Sequence, residues 1–256
     1  MSIQDLFSVR GKTALVTGGS RGIGLMIAEA LVQGGARVWI NSRDAEACDK
    51  AAAHLSQWGE AFAAPADLGE ASGIAALAEK VRAREPALHV LVNNAGASWG
   101  AGIDSFPEKG WDKVVDLNLK AAFFLSQHLL GPLAAGAGAA DPARILNVAS
   151  IEGLRVGPLE TYSYSASKAG LIHLTRVMAK QLAARRIAVN AIAPGPFETK
   201  MMEGVLRAAG EGIRNSVPLG RLGAAEDLAG VALYLSSRAS AYLTGAVIPV
   251  DGGLSL

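Results

Sequence analysis

The sequence predicts an α/β fold built on a doubly wound parallel sheet of about seven strands, with helices on both faces. Short apolar runs rich in β-branched residues alternate along the chain with longer segments of helical periodicity, the order expected of βαβ units. These runs lack a polar residue at every second position, so both faces of each strand are expected to be covered. The 30 glycines suit the tight turns that such a sheet requires.

The predicted elements follow one another without an internal repeat or a linker rich in proline or serine, so residues 1–256 are expected to form one domain. The uncharged stretch 121–140 carries polar residues at its centre, and it is predicted to be a buried helix followed by a glycine- and alanine-rich loop rather than a membrane span. The predicted strands are 13–17, 37–42, 61–66, 90–93, 145–149, 188–192 and 247–250. The predicted helices are 22–33, 44–58, 71–84, 111–130, 164–184 and 224–236.

Composition argues against several classes of function. The 24 Lys and Arg residues against 23 Asp and Glu residues leave a net charge of +1, so no nucleic-acid partner is expected. Cys48 is the only cysteine, and the four histidines show no ligand spacing, so neither a disulfide framework nor a metal site is expected. The first ten residues include Asp5 and no long apolar core, which predicts a cytoplasmic protein without a secretory signal and without a membrane partner.

A glycine-rich turn joins the first predicted strand to the first predicted helix. Its glycines follow a Gly-x-x-x-Gly-x-Gly spacing, which departs from the usual Gly-x-Gly-x-x-Gly dinucleotide fingerprint. Glycine permits positive φ angles and close approach of a pyrophosphate, and the helix amino terminus presents free N–H groups to that anion. The predicted dinucleotide-binding residues of this turn are Gly18, Ser20, Arg21, Gly22, Ile23 and Gly24.

The end of the second predicted strand indicates which dinucleotide is bound. A carboxylate there would pair with the ribose 2′-hydroxyl of NAD, whereas this strand is followed by Arg43. A guanidinium forms the planar, charge-assisted hydrogen bonds that a 2′-phosphate accepts, and Arg21 can approach from the glycine turn. The alternative is that both arginines are solvated and Asp44 simply caps the next helix. NADP(H) is the predicted cofactor.

A tyrosine–lysine pair marks a second candidate site. Tyr164 and Lys168 are four residues apart and share one face of the predicted helix, whereas Tyr162 has Ala166 at that offset. Ser150 follows the predicted strand 145–149, at the edge where open α/β sheets bind ligands. Taken alone, such a pair is common, and an exposed pair on a helix surface is the simpler interpretation.

Together these segments resemble the short-chain dehydrogenase/reductase family, in order and in spacing, over nearly the whole chain. The resemblance rests on the turn 17–24, Asn93-Asn94-Ala95-Gly96, Asn118, Ser150, Tyr164-x-x-x-Lys168 and Pro194-Gly195. It implies a Rossmann fold and a nicotinamide oxidoreductase. It also implies a homotetramer in which the segments 111–130 and 164–184 pack across one interface. The implied catalytic tetrad is Asn118, Ser150, Tyr164 and Lys168.

The resemblance assigns further residues to the cofactor. Asp67 is alternatively a helix cap, and Phe197 departs from the aliphatic residue common in the family. The implied adenine and adenosine-ribose contacts are Asp67, Leu68, Asn94, Ala95 and Gly96. The implied nicotinamide contacts are Tyr164, Lys168, Pro194, Gly195, Phe197 and Thr199.

The tetrad suits carbonyl reduction, which needs a hydride and a proton. Tyr164 would donate the proton, but a free phenol has a pKa of about 10. An ammonium about 4 Å away supplies about 4 kcal/mol at an effective dielectric near 20, enough to bring that pKa to about 7, so Lys168 is predicted to lower it. Ser150 would orient the substrate carbonyl. By resemblance, Asn118 would hold a water that connects Lys168 to solvent.

The substrate is predicted from the resemblance and from apolar residues near the site. The family has a mobile substrate lid at 197–222, where Met201 shares an apolar helical face that suits an acyl chain or, equally, packing onto the sheet. Trp99 and Leu154 are predicted to line the same cleft. The runs 42–48 and 96–101 look most like the β-ketoacyl reductases, which implies reduction of a 3-oxoacyl thioester carried by acyl carrier protein or coenzyme A.

Three other functions are compatible with parts of the sequence. The same tetrad would serve a reductase of another small ketone, sugar or polyol. A sensor would bind NADP(H) without turnover, although it has no need of a proton donor. Ser98 lies in a Gly-x-Ser-x-Gly pattern after a strand, as in a hydrolase nucleophile elbow, but Gly100 and Pro107 oppose the helix that an elbow requires.

Overall fold

One parallel sheet of seven strands forms the centre of the computed structural model, which describes residues 2–256. The strands are β1 (Thr13–Val16), β2 (Arg37–Ile40), β3 (Ala61–Ala63), β4 (Val90–Asn93), β5 (Ala143–Val148), β6 (Ile187–Pro194) and β7 (Val247–Val250). Their spatial order is β3-β2-β1-β4-β5-β6-β7, and every neighbouring pair is parallel. The order reverses between β1 and β4, where the carboxyl ends of the strands leave a crevice for a ligand. The predicted fold class is confirmed.

Helices cover both faces of this sheet. They are α1 (Ile3–Leu6), α2 (Gly22–Gln33), α3 (Ala45–Leu55), α4 (Ala71–Arg84), α5 (Glu108–Val115), α6 (Ala121–His128), α7 (Leu130–Gly136), α8 (Tyr162–Leu182), α9 (Glu203–Ser216) and α10 (Ala225–Ser236). Val16 packs in a core with residues of α2, α3 and α10, whereas its neighbour Leu15 packs on the other face with residues of α4, α6 and α8. Apolar residues therefore occur at both odd and even positions of the strands, because both faces of the sheet are covered.

Two segments differ from their predicted form. The helix predicted over 111–130 is divided, because Asp116–Lys120 forms a π-helical turn between α5 and α6. The predicted glycine- and alanine-rich loop begins as α7, where Leu133 is fully buried and the Pro132 carbonyl accepts the N–H of Leu88 at 2.9 Å. Packing there outweighs the low helix propensity of glycine. No helix in residues 2–256 is both long and apolar enough to cross a membrane.

A buried ionic cluster lies where the strands begin, at the opposite end of the sheet from the crevice. Lys12 Nζ lies 2.8 Å from Asp141 Oδ2 and donates to the Ser236 carbonyl at 2.9 Å. The Arg144 side chain is fully buried, pairs with the same carboxylate and donates to the Ser237 carbonyl at 2.6 Å. Asp141 is therefore the shared counter-ion of two largely buried cations, and these cations tie β1 and β5 to the end of α10.

Candidate active site

The carboxyl ends of β1, β4, β5 and β6 lie along one edge of the sheet, and the predicted site segments follow these strands. The glycine turn 17–24 follows β1, Asn94 follows β4, Ser150 lies just past β5, and Gly195 follows β6. β1 and β4 are neighbours at the switch point, and β5 and β6 continue the sheet beside β4. The fold thus brings together segments that are far apart in the sequence.

The glycine turn is shaped for the close approach of a ligand. Gly18 and Gly22 have φ angles of +62° and +55°, which residues other than glycine rarely adopt. A Cβ at Gly18 would lie 2.9 Å from Asn94 Nδ2, and a Cβ at Gly24 would overlap the Gly18 carbonyl. Because α2 begins at Gly22, its free N–H groups and positive dipole end lie at the turn. This arrangement fits a pyrophosphate.

Side chains from the neighbouring strand ends hold the glycine turn in place. Thr17 Oγ1 accepts the backbone N–H groups of Asn94 and Ala95, both at 2.9 Å. Asn94 Nδ2 donates to the Thr17 carbonyl at 2.8 Å, and the Asn41 carbonyl accepts the N–H of Gly19 at 2.9 Å. Asn94 and Ala95, which the resemblance places beside the ribose, therefore also fix the shape of the turn.

Two arginines border the glycine turn. Arg21 and Arg43 are exposed, and neither pairs with a carboxylate within residues 2–256. Asp44 Oδ1 accepts the N–H of Ala47 at 3.0 Å and caps α3, so it does not neutralise its neighbour Arg43. Both guanidinium groups are available to a phosphate. Ser20 and Ile23, which are also predicted to contact the dinucleotide, are partly exposed.

The residues predicted at the adenine and at the carboxamide lie in different surroundings. Asp67 is exposed, and its Oδ1 accepts the N–H of Gly69 at 2.9 Å. It caps a turn rather than a helix, since α4 begins only at Ala71. Leu68 is buried in the core. Thr199 lies against the glycine turn, close to Gly22.

The Phe197 side chain is packed inside the protein and does not face the crevice. Its ring is 1% exposed and lies over Gly223, so only its backbone is free to face the crevice. Pro194 ends β6, and the following Gly195 packs so closely on Asp251 that a Cβ would lie 2.7 Å from the Asp251 Cβ. The segment 194–197 is therefore held in place at both ends.

Tyr164, Lys168 and Ser150 converge between α8 and the end of β5. Lys168 is buried, its Nζ lies 5.6 Å from the centre of the Tyr164 ring, and it donates to the Val148 carbonyl at 2.7 Å. The Ser150 hydroxyl lies near the phenol, whose pKa it lowers, and it accepts the N–H of Glu152 at 3.2 Å. This grouping places a proton donor, a cation and a second hydroxyl around one point.

The electrostatics of this pair differ from the prediction. Burial raises the pKa of Tyr164, the hydrogen bond with Ser150 lowers it by less, and the charge of Glu152 raises it further. Burial also lowers the pKa of Lys168 to about 8. The prediction that Lys168 brings the phenol pKa down to about 7 is therefore wrong for this geometry. The reason is that burial dominates and the ammonium is turned towards the Val148 carbonyl.

Asn118 lies in the π-helical turn and links two parts of the site. Its Oδ1 accepts the N–H of Ala97 at 2.8 Å, and its Nδ2 donates to the Ala97 carbonyl and to Ser167 Oγ, both at 3.0 Å. Ser167 Oγ in turn donates to the Tyr164 carbonyl at 2.7 Å. A Cβ at Gly96 would lie 3.2 Å from Asn118 Oδ1. Asn118 thus fixes the loop after β4 to the helix that carries Tyr164.

Several polar residues at the site were missed by the sequence analysis. Ser167 bridges Asn118 and Tyr164, and its position in the turn before Lys168 was an available signal. Asn147 and Thr175 form a buried link between β5 and α8, with Asn147 Nδ2 donating to Thr175 Oγ1 at 2.9 Å. Helical periodicity places Thr175 on the face of Lys168, two turns further along.

The predicted substrate residues are less closely grouped. The Trp99 ring packs on Gly110 of α5 and lies 5.5 Å from Lys113 Nζ, so the indole serves the packing of that helix. Leu154 and Met201 are 41% and 52% exposed. These two side chains present apolar surface to solvent beside the crevice.

The predicted lid segment contains α9, which begins after Met202. The helix has a non-helical backbone at Ala209 and buries none of its residues, so it rests loosely on the rest of the protein. An exposed ion pair of 3.4 Å between Arg214 and Glu198 joins it to the preceding segment. Such exposed pairs contribute little to stability.

The Ser98 motif does not form a nucleophile elbow. Ser98 is exposed on an irregular loop, and the next helical turn, Ile103–Ser105, starts only after Gly102. An elbow needs a strand, a sharp turn and an immediate helix. No group of three or more His, Cys, Asp or Glu side chains that could hold a metal ion occurs in residues 2–256.

Comparisons with known proteins agree with this arrangement. A family model described as enoyl-(acyl carrier protein) reductase matches residues 18–255. The chain is 46% identical over 252 residues to the rhamnolipids biosynthesis 3-oxoacyl-[acyl-carrier-protein] reductase of Pseudomonas aeruginosa, with 98% of each chain covered. It is 34% identical over 263 residues to gluconate 5-dehydrogenase of Gluconobacter oxydans, with 100% and 99% covered. The solved Pseudomonas aeruginosa RhlG/NADP active-site complex matches with a TM-score of 0.96 at 46% identity, covering 98% of this chain and 99% of that one.

Proposed function

The chain belongs to the short-chain dehydrogenase/reductase family, and from this membership and the site geometry we propose that it reduces a 3-oxoacyl thioester to its 3-hydroxyacyl form with NADPH. It is an NADP-dependent oxidoreductase. The observation that carries the proposal is the convergence of Ser150, Tyr164 and Lys168 on the sheet edge that also bears the glycine turn. The identity to a 3-oxoacyl-[acyl-carrier-protein] reductase favours the thioester as substrate.

The residues at the crevice fit NADPH. Gly18 and Gly24 have no Cβ, and the space this leaves at the glycine turn suits the pyrophosphate. Arg21 and Arg43 suit the 2′-phosphate. Lys168 would hold the nicotinamide ribose through the N–H groups that it does not give to Val148. Bound there, NADPH supplies the hydride for the carbonyl carbon.

Tyr164 supplies the proton. Its raised pKa keeps the phenol protonated at neutral pH, which is the form that donates. Ser150 shares in hydrogen bonding the carbonyl oxygen as its charge develops. Lys168, whose Nζ lies 5.6 Å from the centre of the Tyr164 ring, stabilises the phenolate after donation by less than burial opposes it, and it carries its charge below a pH of about 8. This stabilisation weakens as the pH rises through that value, because the ammonium is lost.

Asn118 acts as a positioning residue. Both ends of its amide are hydrogen-bonded to protein atoms, so the water that the family resemblance implies would be held by the backbone of the π-helical turn. Such a turn breaks the regular i to i+4 pattern and frees a carbonyl.

The acyl chain has an apolar place to bind. Leu154, Val156 and Leu159 follow Ser150 in one loop and are 41%, 97% and 50% exposed, and Met201 stands in the lid segment. Covering these side chains with an aliphatic chain removes apolar surface from water, at about 25 cal/mol per Å². We propose that residues 197–222 close over such a chain within a single-domain cytoplasmic enzyme, and that the thioester is bound to an acyl carrier.

A homotetramer is part of this proposal. The exposed aromatic residues Trp111, Phe123 and Phe124 lie on α5 and α6, and Val177 is exposed on α8, the two segments that the resemblance places at an interface. Large apolar side chains exposed in this number on two helices are typical of a protein–protein contact.

Arg43 is expected to determine the choice between NADPH and NADH. Charge-assisted hydrogen bonds to a phosphate contribute enough that Arg43→Ala should lower kcat/KM for NADPH by about 10- to 100-fold and leave kcat/KM for NADH nearly unchanged. Arg84→Ala, at the exposed end of α4, is the matched control and should change neither. A wild-type protein with a higher kcat/KM for NADH than for NADPH would refute the assignment.

The substrate is tested by NADPH absorbance with a panel of carbonyl compounds. We expect kcat/KM for short 3-oxoacyl thioesters to exceed that for simple ketones and 5-ketogluconate by about tenfold or more, because only the thioesters offer both the keto group and an apolar chain. The sugar-acid reductase is the second candidate, favoured by the identity to a gluconate 5-dehydrogenase. A higher kcat/KM for 5-ketogluconate would show that the substrate is a sugar acid, while the reaction would still be a carbonyl reduction. No turnover with any carbonyl compound would favour a sensor.

A further inference from the structure

Glu152 is a half-buried acidic residue beside the site, and the proposed reaction does not use it. It lies in the helical turn Ile151–Gly153, directly after Ser150, and its N–H donates to Ser150 Oγ at 3.2 Å. The next residue, Gly153, packs so closely on α8 that a Cβ there would lie 2.7 Å from the Lys168 carbonyl carbon. The turn that carries Glu152 is therefore held firmly against the helix of Tyr164.

One oxygen of the Glu152 carboxylate has no hydrogen-bond partner in the described part of the chain. Its Oε2 is shielded from solvent and accepts no hydrogen bond within residues 2–256. A Cβ at Gly157 would overlap both carboxylate oxygens, so this loop glycine leaves the space that the carboxylate fills. No ion pair in the described part of the chain includes Glu152, and the Nε of the nearby Arg155 is likewise unpaired.

A carboxylate in this position acts on whatever binds at Tyr164. The Lys168 ammonium donates to the Val148 carbonyl and does not pair with the Glu152 carboxylate. Glu152 lies beside the reacting groups because its N–H is bonded to the Ser150 hydroxyl that caps its turn, and in keeping with this position its charge raises the pKa of Tyr164. Charges of like sign in a partly buried site repel one another more strongly than they do in water.

We propose that Glu152 is a specificity-determining residue whose unpaired carboxylate rejects substrates with a negative charge near the keto carbon, so that the site accepts neutral keto thioesters and excludes anionic keto acids. The inference rests on the proposed function of the same site. A 3-oxo acid places its carboxylate two bonds from the keto carbon, whereas its thioester is neutral at that point.

The test compares acetoacetate with the N-acetylcysteamine thioester of the same acid, at saturating NADPH, in the wild type and in variants of Glu152. Glu152→Gln removes the charge and keeps the shape, and it should raise kcat/KM for acetoacetate relative to the thioester by about tenfold or more. Glu152→Asp keeps the charge and should keep the wild-type ratio. Glu160→Gln, on the exposed part of the same loop, is the control for removal of a charge and should also keep that ratio.

Each outcome decides between the alternatives. An unchanged ratio in Glu152→Gln, with the thioester still reduced by the wild type, overturns this inference and leaves the proposed function intact. An equal loss of both activities in the Gln and Asp variants indicates a packing role and also overturns it. A wild type that does not reduce the thioester overturns the proposed function as well. Glu152→Ala gives a second uncharged variant in which the ratio can be measured if Glu152→Gln does not fold.

Discussion

Replacing Tyr164 with phenylalanine is expected to lower kcat by about 10³-fold, the scale of a lost general acid. The change removes one hydroxyl and keeps the ring, so the hydrogen bond from Lys168 to Val148 and the packing of α8 are retained. NADPH should therefore bind nearly as well as to the wild type, as measured by the change in its fluorescence on binding. The loss should appear in kcat measured by NADPH absorbance with a 3-oxoacyl thioester.

Tyr162→Phe is the matched control for this variant. Tyr162 lies on the same helix, and its hydroxyl donates to Glu160 at 3.1 Å, towards the loop rather than towards Ser150. Its removal should leave kcat close to that of the wild type. If Tyr164→Phe kept kcat within about tenfold of the wild type, less than the 10²-fold lower end of general-acid contributions, Tyr164 would not be the proton donor.

Replacing Asp141 with asparagine is expected to lower the free energy of unfolding by about 3 kcal/mol. The amide keeps the shape of the side chain but leaves Lys12 and the fully buried Arg144 without a counter-charge. Removing one partner from a buried ionic group leaves uncompensated charge in a medium that solvates it poorly, which is why the effect is large. Urea-induced unfolding at neutral pH measures the difference.

The effect of Asp141 has a defined pH dependence. Burial raises the pKa of Asp141, but the hydrogen bonds from Lys12 and Arg144 outweigh it and hold the pKa below the usual value. The stabilisation is therefore complete above the carboxyl pKa of the unfolded chain, about 4, and is lost as the pH falls further. The difference in the free energy of unfolding between the wild type and Asp141→Asn should therefore shrink as the pH falls below about 4.

An exposed aspartate provides the control for this prediction. Asp112→Asn, on the outer face of α5, should change the free energy of unfolding by less than about 0.5 kcal/mol. Equal stability of the Asp141→Asn variant and the wild type at neutral pH would show that the cluster does not depend on its carboxylate.

Local sequence patterns were sufficient for much of the fold and for the site segments. The strand Val90–Asn93 and the helices Gly22–Gln33 and Ala71–Arg84 have the predicted bounds, because each has a strong apolar pattern and a clear turn at its ends. Helical spacing placed Tyr164 and Lys168 on one face of a helix, and the family resemblance assigned that face to the site.

Other features depend on contacts that no local pattern reports. The division of the predicted helix 111–130 arises from a π-helical turn whose Asn118 is held by Ala97 and Ser167, residues distant in sequence. The direction of the Lys168 ammonium depends on the Val148 carbonyl of another strand. Trp99 was predicted in the cleft, but it packs on Gly110 because that glycine leaves room for its ring.

Transfer of deuterium from the cofactor to the product shows whether this site reduces a keto thioester with Tyr164 as the proton donor. NADPH that carries deuterium at its transferable position is incubated with the wild-type protein and the N-acetylcysteamine thioester of acetoacetate, and the product is analysed by mass spectrometry. We expect the wild type to give a 3-hydroxybutyryl thioester with one deuterium on the hydroxyl-bearing carbon. Tyr164→Phe should give almost none of this product. A product without deuterium, or an equal yield from the variant, would contradict this expectation.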